Sequence, residues 1–235
     1  KITTVEEPII DNFEFDKIYI VHVNEFVNRK QNILDHLKLL DNVVIIDAIN
    51  KNNLDISELK NLNLIGYPGN DFCKNKNLCW CNGKGHNDMM RTGRIACAWS
   101  HYKVYEHMIN NNVNHALIFE DDFILDDKFK EYLEIVKKNV PSNYDLLYLA
   151  HSKMYKYPRL NSLYGKYIKE YNNVWKIAES GMQETSCYAI PLNTALKLKE
   201  NIFPIRAASD GFIGVCISYL KIIKNAYIFK ESFAY

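Results

Sequence analysis

The chain has 235 residues, of which 48% are hydrophobic and 24% charged, a composition that excludes disordered and fibrous proteins. Its 29 Lys and Arg residues balance 28 Asp and Glu residues, and the net charge of +1 argues against a dedicated nucleic-acid binder. Every apolar run falls short of the roughly 20 residues that cross a bilayer, so no membrane span is expected.

The first predicted elements form a β-α-β unit. Residues 18–23 are a continuous apolar run typical of a buried strand, and residues 43–47 form a second, β-branched run. Between them, apolar residues recur at helical spacing, at Ile33, Leu34, Leu37 and Leu40. Such a unit begins a Rossmann-like sheet, whose ligands bind beyond the carboxyl ends of the strands. Arg29, early in this helix, is either a ligand for a base or phosphate or a solvated surface charge.

A Cys-rich loop at about 66–92 follows, without periodicity. It contains three of the six Cys residues, Cys73, Cys79 and Cys81. Long connections of this kind are often lids or binding loops. We predict a loop disulfide, with free thiols and zinc as alternatives, because the C-x5-C-x-C spacing differs from the usual pairs of zinc ligands. The cysteines leave the compartment open between the cytoplasm and the lumen of the secretory pathway.

A helix after this loop has an apolar stripe at Ile95, Ala98, Trp99, Tyr102, Tyr105 and Ile109. Arg94 and His101 are two turns apart and therefore share one flank of the helix. Arg side chains suit bidentate phosphate contacts, so the pair is a candidate phosphate site. The alternative is a surface charge and a hydrogen-bonded interior histidine.

The most informative feature is an acidic triplet, Glu120-Asp121-Asp122, directly after the apolar strand 116–119. This position is the ligand-binding edge of an α/β sheet. Adjacent carboxylates repel one another, and a divalent cation with a diphosphate ligand would relieve that repulsion. Hard oxygen ligands favour Mg²⁺ or Mn²⁺ over zinc. The alternative is a solvated acidic turn at the start of the next helix.

The remaining elements are a helix near 129–136, strands at 145–149 and 185–190, a helix at 193–200 and a helix starting at Ser209-Asp210. Asp210 is placed either to accept the proton of an acceptor hydroxyl in an inverting sugar transfer or to cap its helix. Three tyrosines of an irregular stretch are candidates for stacking on a sugar, Tyr155, Tyr157 and Tyr164. With no repeat and no linker, a single domain is expected for residues 1–235.

Several segments, in order, match the pattern of a known family. TGRIACAWSHYKVYEHMI resembles G-E-x-G-C-x-x-S-H at Gly93, Cys97, Ser100 and His101. HALIFEDDFIL matches A-L-I-L-E-D-D in all three acids, and FPIRAASDGF is a loosened Pro-x-x-Asp segment. IYIVHVNEFVNRKQNI resembles a V-I-N-L-D-R start followed by Arg, with His22 in place of Asn. Together these segments resemble glycosyltransferase family 25, which comprises bacterial lipooligosaccharide and procollagen galactosyltransferase-like enzymes.

The resemblance implies a Rossmann-like GT-A fold, with a mixed, mostly parallel central sheet flanked by helices. It implies a UDP-hexose donor, Mn²⁺ (with Mg²⁺ possible) and inversion at the anomeric carbon. By similarity, Asp122 is the metal ligand and Asp210 the catalytic base. The residues implied to bind the nucleotide sugar are Arg29, Arg94, Ser100, His101, Glu120 and Asp121.

Two alternatives to a hexosyltransferase stay open. One is a metal-dependent hydrolase of nucleotide sugars or phosphate esters, in which Asp47, Asp145 and Asp210 join the triplet. The other is an inactive module that binds a nucleotide sugar. The sequence does not choose between galactose and glucose, or between a glycan and the hydroxylysine of a collagen-like chain as acceptor. It does not predict an oligomeric state.

Overall fold

The computed structural model describes residues 7–66, 92–150, 168–182 and 186–234. Nearly all of the Cys-rich loop, and the three tyrosines proposed for stacking, lie outside the described residues. The strands within these ranges are β1 (Lys17–His22), β2 (Val43–Asp47), β3 (His115–Glu120), β4 (Leu146–Tyr148), β5 (Ile168–Glu170), β6 (Trp175–Ala178), β7 (Cys187–Pro191) and β8 (Ala226–Phe229). The α-helices are α1 (Val27–His36), α2 (Ile56–Asn61), α3 (Thr92–Asn110), α4 (Phe129–Lys137), α5 (Leu192–Asn201) and α6 (Ser209–Ser218).

All these strands belong to one mixed sheet with the order β2-β1-β3-β7-β4-β8-β6-β5. Three neighbouring pairs are parallel, namely β1/β2, β1/β3 and β4/β8. The other four pairs are antiparallel, namely β3/β7, β4/β7, β5/β6 and β6/β8. The predicted α/β sheet with flanking helices is confirmed, whereas the prediction that the sheet is mostly parallel is wrong.

The error has a physical cause in β7. This strand runs between β3 and β4 in the opposite direction to both. Its first four residues are buried, since helices cover both faces of the sheet here. A strand buried on both faces has a continuous apolar sequence whether its neighbours are parallel or antiparallel, so the pattern at 185–190 carried no information on direction.

Helices pack on both faces of the sheet. On one face α3, α5 and α6 cover a cluster that includes Tyr19, Ile118 and Tyr188. On the other face α1 and α4 contribute to a cluster that includes Ile20 and Phe119. Side chains alternate between the two clusters along β3, as the two-residue period of a strand requires. Among the described helices, none is both long and apolar enough to cross a membrane.

The parallel trio β2-β1-β3 brings three carboxyl ends to one edge of the sheet. Val21 lies opposite Glu120, and His22 lies opposite Asp47. The first turns of α3 lie above this edge, where Ser100 accepts a hydrogen bond from the backbone of Ile49. The chain therefore places α1, α3 and the first two acids of the triplet around one opening, as expected for the ligand edge of an α/β sheet.

Candidate active site

A cleft of about 210 Å³ opens at the carboxyl edge of the parallel trio. Its ionisable and polar lining includes Arg29, Lys51, Cys97, His101, Glu120 and Asp121. These groups lie on different elements of the fold. They meet at this edge because β1, β2 and β3 run in the same direction and end there together. The sequence prediction that the triplet lies at a ligand-binding edge therefore agrees with the position of the cleft.

Glu120 is directed to the α3 side of the sheet. Its Oε1 lies 3.3 Å from Nε2 of His101, whose ring is 1% exposed. On the other side of that ring, Nδ1 lies 2.7 Å from the Tyr188 hydroxyl. Burial lowers the pKa of His101, but hydrogen bonds with Cys97 and Glu120 outweigh it and raise the pKa to about 9. At neutral pH a buried imidazolium therefore faces Glu120.

Asp121 is directed to the opposite side, toward α1, and is 5% exposed. One carboxylate oxygen accepts a hydrogen bond from the Arg29 guanidinium. The other oxygen accepts one from His22 Nδ1, at 2.9 Å. Since a carboxylate only accepts, this contact fixes the proton of His22 on Nδ1. The Nε2 of His22 is buried and has no hydrogen-bond partner among the described residues.

Asp122 is the exposed member of the triplet, with 55% of its side chain accessible. Arg29 Nη2 lies 3.4 Å from one of its oxygens. Partial burial raises the pKa of Asp122, Arg29 lowers it, and the charges of Glu120 and Asp121 raise it again, so that the pKa ends above its ordinary value. An exposed carboxylate beside two other acidic side chains fits a hard cation that keeps water and phosphate oxygens as its other ligands.

The three carboxylates thus do not converge on one point, since Glu120 and Asp121 point to opposite faces. Their nearest ionisable partners differ: His101 contacts Glu120, His22 and Arg29 contact Asp121, and Arg29 also reaches Asp122. The contact between His22 and Asp121 was missed by the sequence analysis. His22 directly follows Val21, which pairs with Glu120, and Asp121 directly follows Glu120. This pairing of β1 with β3 brings His22 beside Asp121.

Ser100 lines the cleft, but its hydroxyl group is used within the protein. It donates to the carbonyl of Ala96 at 2.6 Å and accepts from the amide of Ile49 at 2.9 Å. The side chain is 2% exposed. This pattern ties α3 to the chain after β2, so Ser100 holds the wall of the cleft in place. Its predicted contact with a nucleotide sugar stays a prediction.

Arg94, Asp122 and Asp210 lie outside the described lining of the cleft. Arg94 is exposed on the first turns of α3. Asp210 is half-buried in the first turn of α6, where its Oδ1 accepts a hydrogen bond from Gly211 N at 2.6 Å. The residue before it, Ser209, has its hydroxyl 3.1 Å from Cys97 Sγ, and Cys97 does line the cleft. Asp210 is therefore a close neighbour of the cleft on its α6 side.

The acids invoked for a two-metal hydrolase do not all lie at this edge. Asp145 precedes β4, and β4 runs in the same direction as β3 because both are antiparallel to β7. Asp145 is therefore at the opposite edge, where it accepts hydrogen bonds from Lys197 Nζ at 2.9 Å and from two backbone amides. Asp47 ends β2 at the correct edge and is exposed. Asp145 has a structural role at the far side of the sheet.

A scan against protein-family models matches residues 15–213 to the family described as glycosyltransferase family 25 (LPS biosynthesis protein). Similar curated proteins include human "Procollagen galactosyltransferase 2", 26% identical over 148 residues, which are 61% of this chain and 22% of that protein. "Inactive glycosyltransferase 25 family member 3" of Mus musculus is 24% identical over 144 residues, 60% of this chain and 22% of that protein. "Procollagen galactosyltransferase 1-A" of Xenopus laevis is 21% identical over 155 residues, 64% and 24% of the two chains. The chain thus spans about a quarter of the length of these relatives.

Proposed function

The chain belongs to glycosyltransferase family 25, and on that premise we propose that it transfers galactose or glucose from a UDP-sugar to a hydroxyl group, with inversion at the anomeric carbon. The proposed acceptor is a glycan or the hydroxylysine of a collagen-like chain. Relatives named as procollagen galactosyltransferases favour the second of these. We also propose that the chain is a single domain of the GT-A type.

The observation that carries this proposal is the cleft at the carboxyl ends of three parallel strands. Nucleotides bind at this position in α/β sheets. The cleft combines the cationic groups of Arg29 and His101 with the carboxylates of Glu120 and Asp121. Cations suit a diphosphate, and buried carboxylates suit the hydroxyl groups of a ribose and a hexose, which donate hydrogen bonds.

We assign the recognition of the donor to the two inner carboxylates. Asp121, held by His22 and Arg29, accepts from the ribose, and Glu120, held by His101, accepts from the donor sugar. The two oxygens of a carboxylate offer about four acceptor sites, so a carboxylate can accept from a ligand as well as from a protein partner. Their internal partners fix their orientation before the donor arrives, which lowers the entropic cost of binding.

Asp122 is the proposed ligand for Mn²⁺ or Mg²⁺, and a cation bound there would neutralise the diphosphate that leaves. Asp210 is the proposed base. It accepts the proton of the acceptor hydroxyl while the new bond forms between that oxygen and the anomeric carbon and the bond to UDP breaks on the opposite face. Its position on α6, next to the residue that contacts Cys97, supports an acceptor bound on the α6 side of the cleft.

The inactive alternative has specific support, because relatives named "inactive" match at 24% identity, close to the 26% of the human galactosyltransferase. The test is a panel of UDP-galactose, UDP-glucose and UDP-N-acetylhexosamines, each with Mn²⁺ or with a chelator. Each donor is offered with a hydroxylysyl peptide, with a lactosyl acceptor and with no acceptor. We expect transfer from one hexose donor, dependent on metal and on acceptor.

Two variants sharpen this test. Asp122→Asn should abolish metal-dependent transfer, while Asp127→Asn, an exposed acid beyond the triplet, should keep it. Donor binding without turnover on any acceptor would favour the inactive module. Release of UDP at the same rate with and without acceptor would favour the hydrolase, and either result would refute the transferase.

A further inference from the structure

We propose that Cys97, His101 and Glu120 form a binding site for a thiophilic divalent cation of the zinc type, separate from the hard-cation site at Asp122. Among the described residues, these three are a group of potential metal ligands whose sulfur, nitrogen and oxygen atoms all lie within 4.8 Å of one another. All three line the cleft. They differ in chemistry from the acidic triplet, since one ligand is a thiol and one an imidazole.

The local structure brings the three ligands together. Cys97 and His101 are four residues apart on α3 and therefore lie on the same face, one turn from each other. Glu120 ends β3 and points to the face that α3 covers. The distance of 3.3 Å between His101 Nε2 and Glu120 Oε1 matches the edge of a tetrahedron around zinc, about 3.3 Å for bonds of about 2.0–2.1 Å. A cation therefore fits between these two atoms in place of the proton that now joins them.

The ring of His101 is already oriented for this role. Its Nδ1 lies 2.7 Å from the hydroxyl of Tyr188, which is fully buried and lies 3.1 Å from the Tyr105 hydroxyl. With Nδ1 engaged in this way, Nε2 is the nitrogen that faces Cys97 and Glu120. Histidines that bind metals usually have such a partner on the other ring nitrogen, because it fixes the tautomer and the orientation of the ring.

The thiol determines which cation the site prefers. Cys97 is half-buried and has no disulfide partner among the described residues. Its Sγ lies 3.1 Å from the Ser209 hydroxyl, a group able to donate a hydrogen bond to sulfur. A thiolate ligand favours Zn²⁺ and Co²⁺ over Mn²⁺ and Mg²⁺. Three protein ligands beside an open cleft leave a fourth position for water or for a ligand in the cleft, the arrangement of zinc sites that exchange ligands.

The test uses Co²⁺ as a spectroscopic substitute for Zn²⁺. Because Cys73, Cys79 and Cys81 could also supply sulfur ligands, the chain is prepared with all three changed to Ser. We expect one equivalent of Co²⁺ to give a thiolate-to-cobalt charge-transfer band in the near ultraviolet. Zn²⁺ should remove the band, and an excess of Mn²⁺ should not.

Variants then identify the ligands in this background. Cys97→Ser should abolish the band, while Cys216→Ala, the matched control at a buried thiol outside the cluster, should keep it. Glu120→Gln should weaken Co²⁺ binding at least about tenfold, and Tyr188→Phe, which removes the partner of Nδ1, by about 10–100-fold. Circular dichroism establishes that each variant is folded.

Three outcomes would overturn the proposal. The first is a folded protein without a charge-transfer band at one equivalent of Co²⁺. The second is a band that survives in Cys97→Ser. The third is equal loss of Co²⁺ affinity in Cys216→Ala. None of these measurements uses glycosyl transfer, so their failure is distinguishable from failure of the proposed function.

Discussion

The contact between His22 and Asp121 leads to a quantitative prediction. Replacement of His22 by Ala removes a buried, charge-assisted hydrogen bond of 2.9 Å, worth about 1.5–3 kcal/mol. It also leaves part of the ring volume empty, so we expect His22→Ala to lower the free energy of unfolding by about 3 kcal/mol. In His22→Asn, the amide nitrogen takes the position of Nδ1 and keeps the bond. We expect a loss of only about 1 kcal/mol there, because the unpaired Nε2 disappears as well.

The same pair of variants tests the role proposed for Asp121. Urea unfolding gives the stabilities, and calorimetric titration with UDP-sugar gives the affinity of the folded protein. If Asp121 binds the donor in the orientation that His22 fixes, His22→Ala should weaken binding about tenfold, which is about 1.4 kcal/mol, and His22→Asn should bind nearly as well as the natural chain. His36→Asn, at a histidine whose ring nitrogen bonds to the backbone of Asn32 within α1, should leave the affinity unchanged. Equal losses of donor affinity in His22→Ala and His22→Asn would refute the reasoning, since the hydrogen bond to Asp121 would then not be the cause of the weaker binding.

Three further predictions concern stability and inhibition. Asp145→Ala should lower the free energy of unfolding by about 2 kcal/mol, because two backbone amides and a lysine lose their acceptor. The transfer rate per folded molecule should stay unchanged. A large drop in that rate would support a role for Asp145 in the chemistry, as the hydrolase alternative requires. Gly181→Ala should cost about 1–3 kcal/mol in thermal or urea unfolding, since the added Cβ collides with the backbone of Gly214. Gly93→Ala, whose Cβ meets its nearest neighbour at 3.8 Å, is the matched control and should cost nothing. Zn²⁺ should inhibit transfer in competition with the donor, and Cys97→Ser should relieve the inhibition; inhibition that persists in this variant would place zinc elsewhere.

Much of the fold was predictable from local patterns. The β-branched run at 43–47 is a strand with those bounds, and the helix that starts at Ser209 begins where its polar start was expected. The short strands β5, β6 and β8 and the short helix α2 were missed. The four residues of β8, Ala226–Phe229, are all buried, but so short an apolar run has no periodicity to distinguish it from a loop segment that packs into the core. The short strands form because they pair with other strands, β8 with β4 and β6, and these partners are distant in the sequence.

The site was predictable in position but not in geometry. An acidic triplet after an apolar strand indicates the edge of a sheet, and the cleft lies there. However, β3 extends through Glu120, so that the side chains of Glu120 and Asp121 alternate across the sheet. Whether a strand ends one residue earlier or later cannot be read from three adjacent acids, and their partners come from α1, α3 and β1. The C-x-x-x-H spacing of Cys97 and His101 was a visible signal of a shared helix face that the sequence analysis did not use.

Charge compensation determines which carboxylate is available to which cation. Glu120 faces the imidazolium of His101, and Asp121 is enclosed by His22 and Arg29. A hard cation bound to Glu120 would have to displace His101, and one bound to Asp121 would have to displace Arg29. In return it would gain only carboxylate oxygens as ligands. Asp122 is exposed, and its pKa is raised because partial burial and the charges of Glu120 and Asp121 together outweigh the effect of Arg29. We therefore expect hard cations at Asp122, and soft ones beside Glu120, where the sulfur of Cys97 supplies a ligand that soft cations prefer.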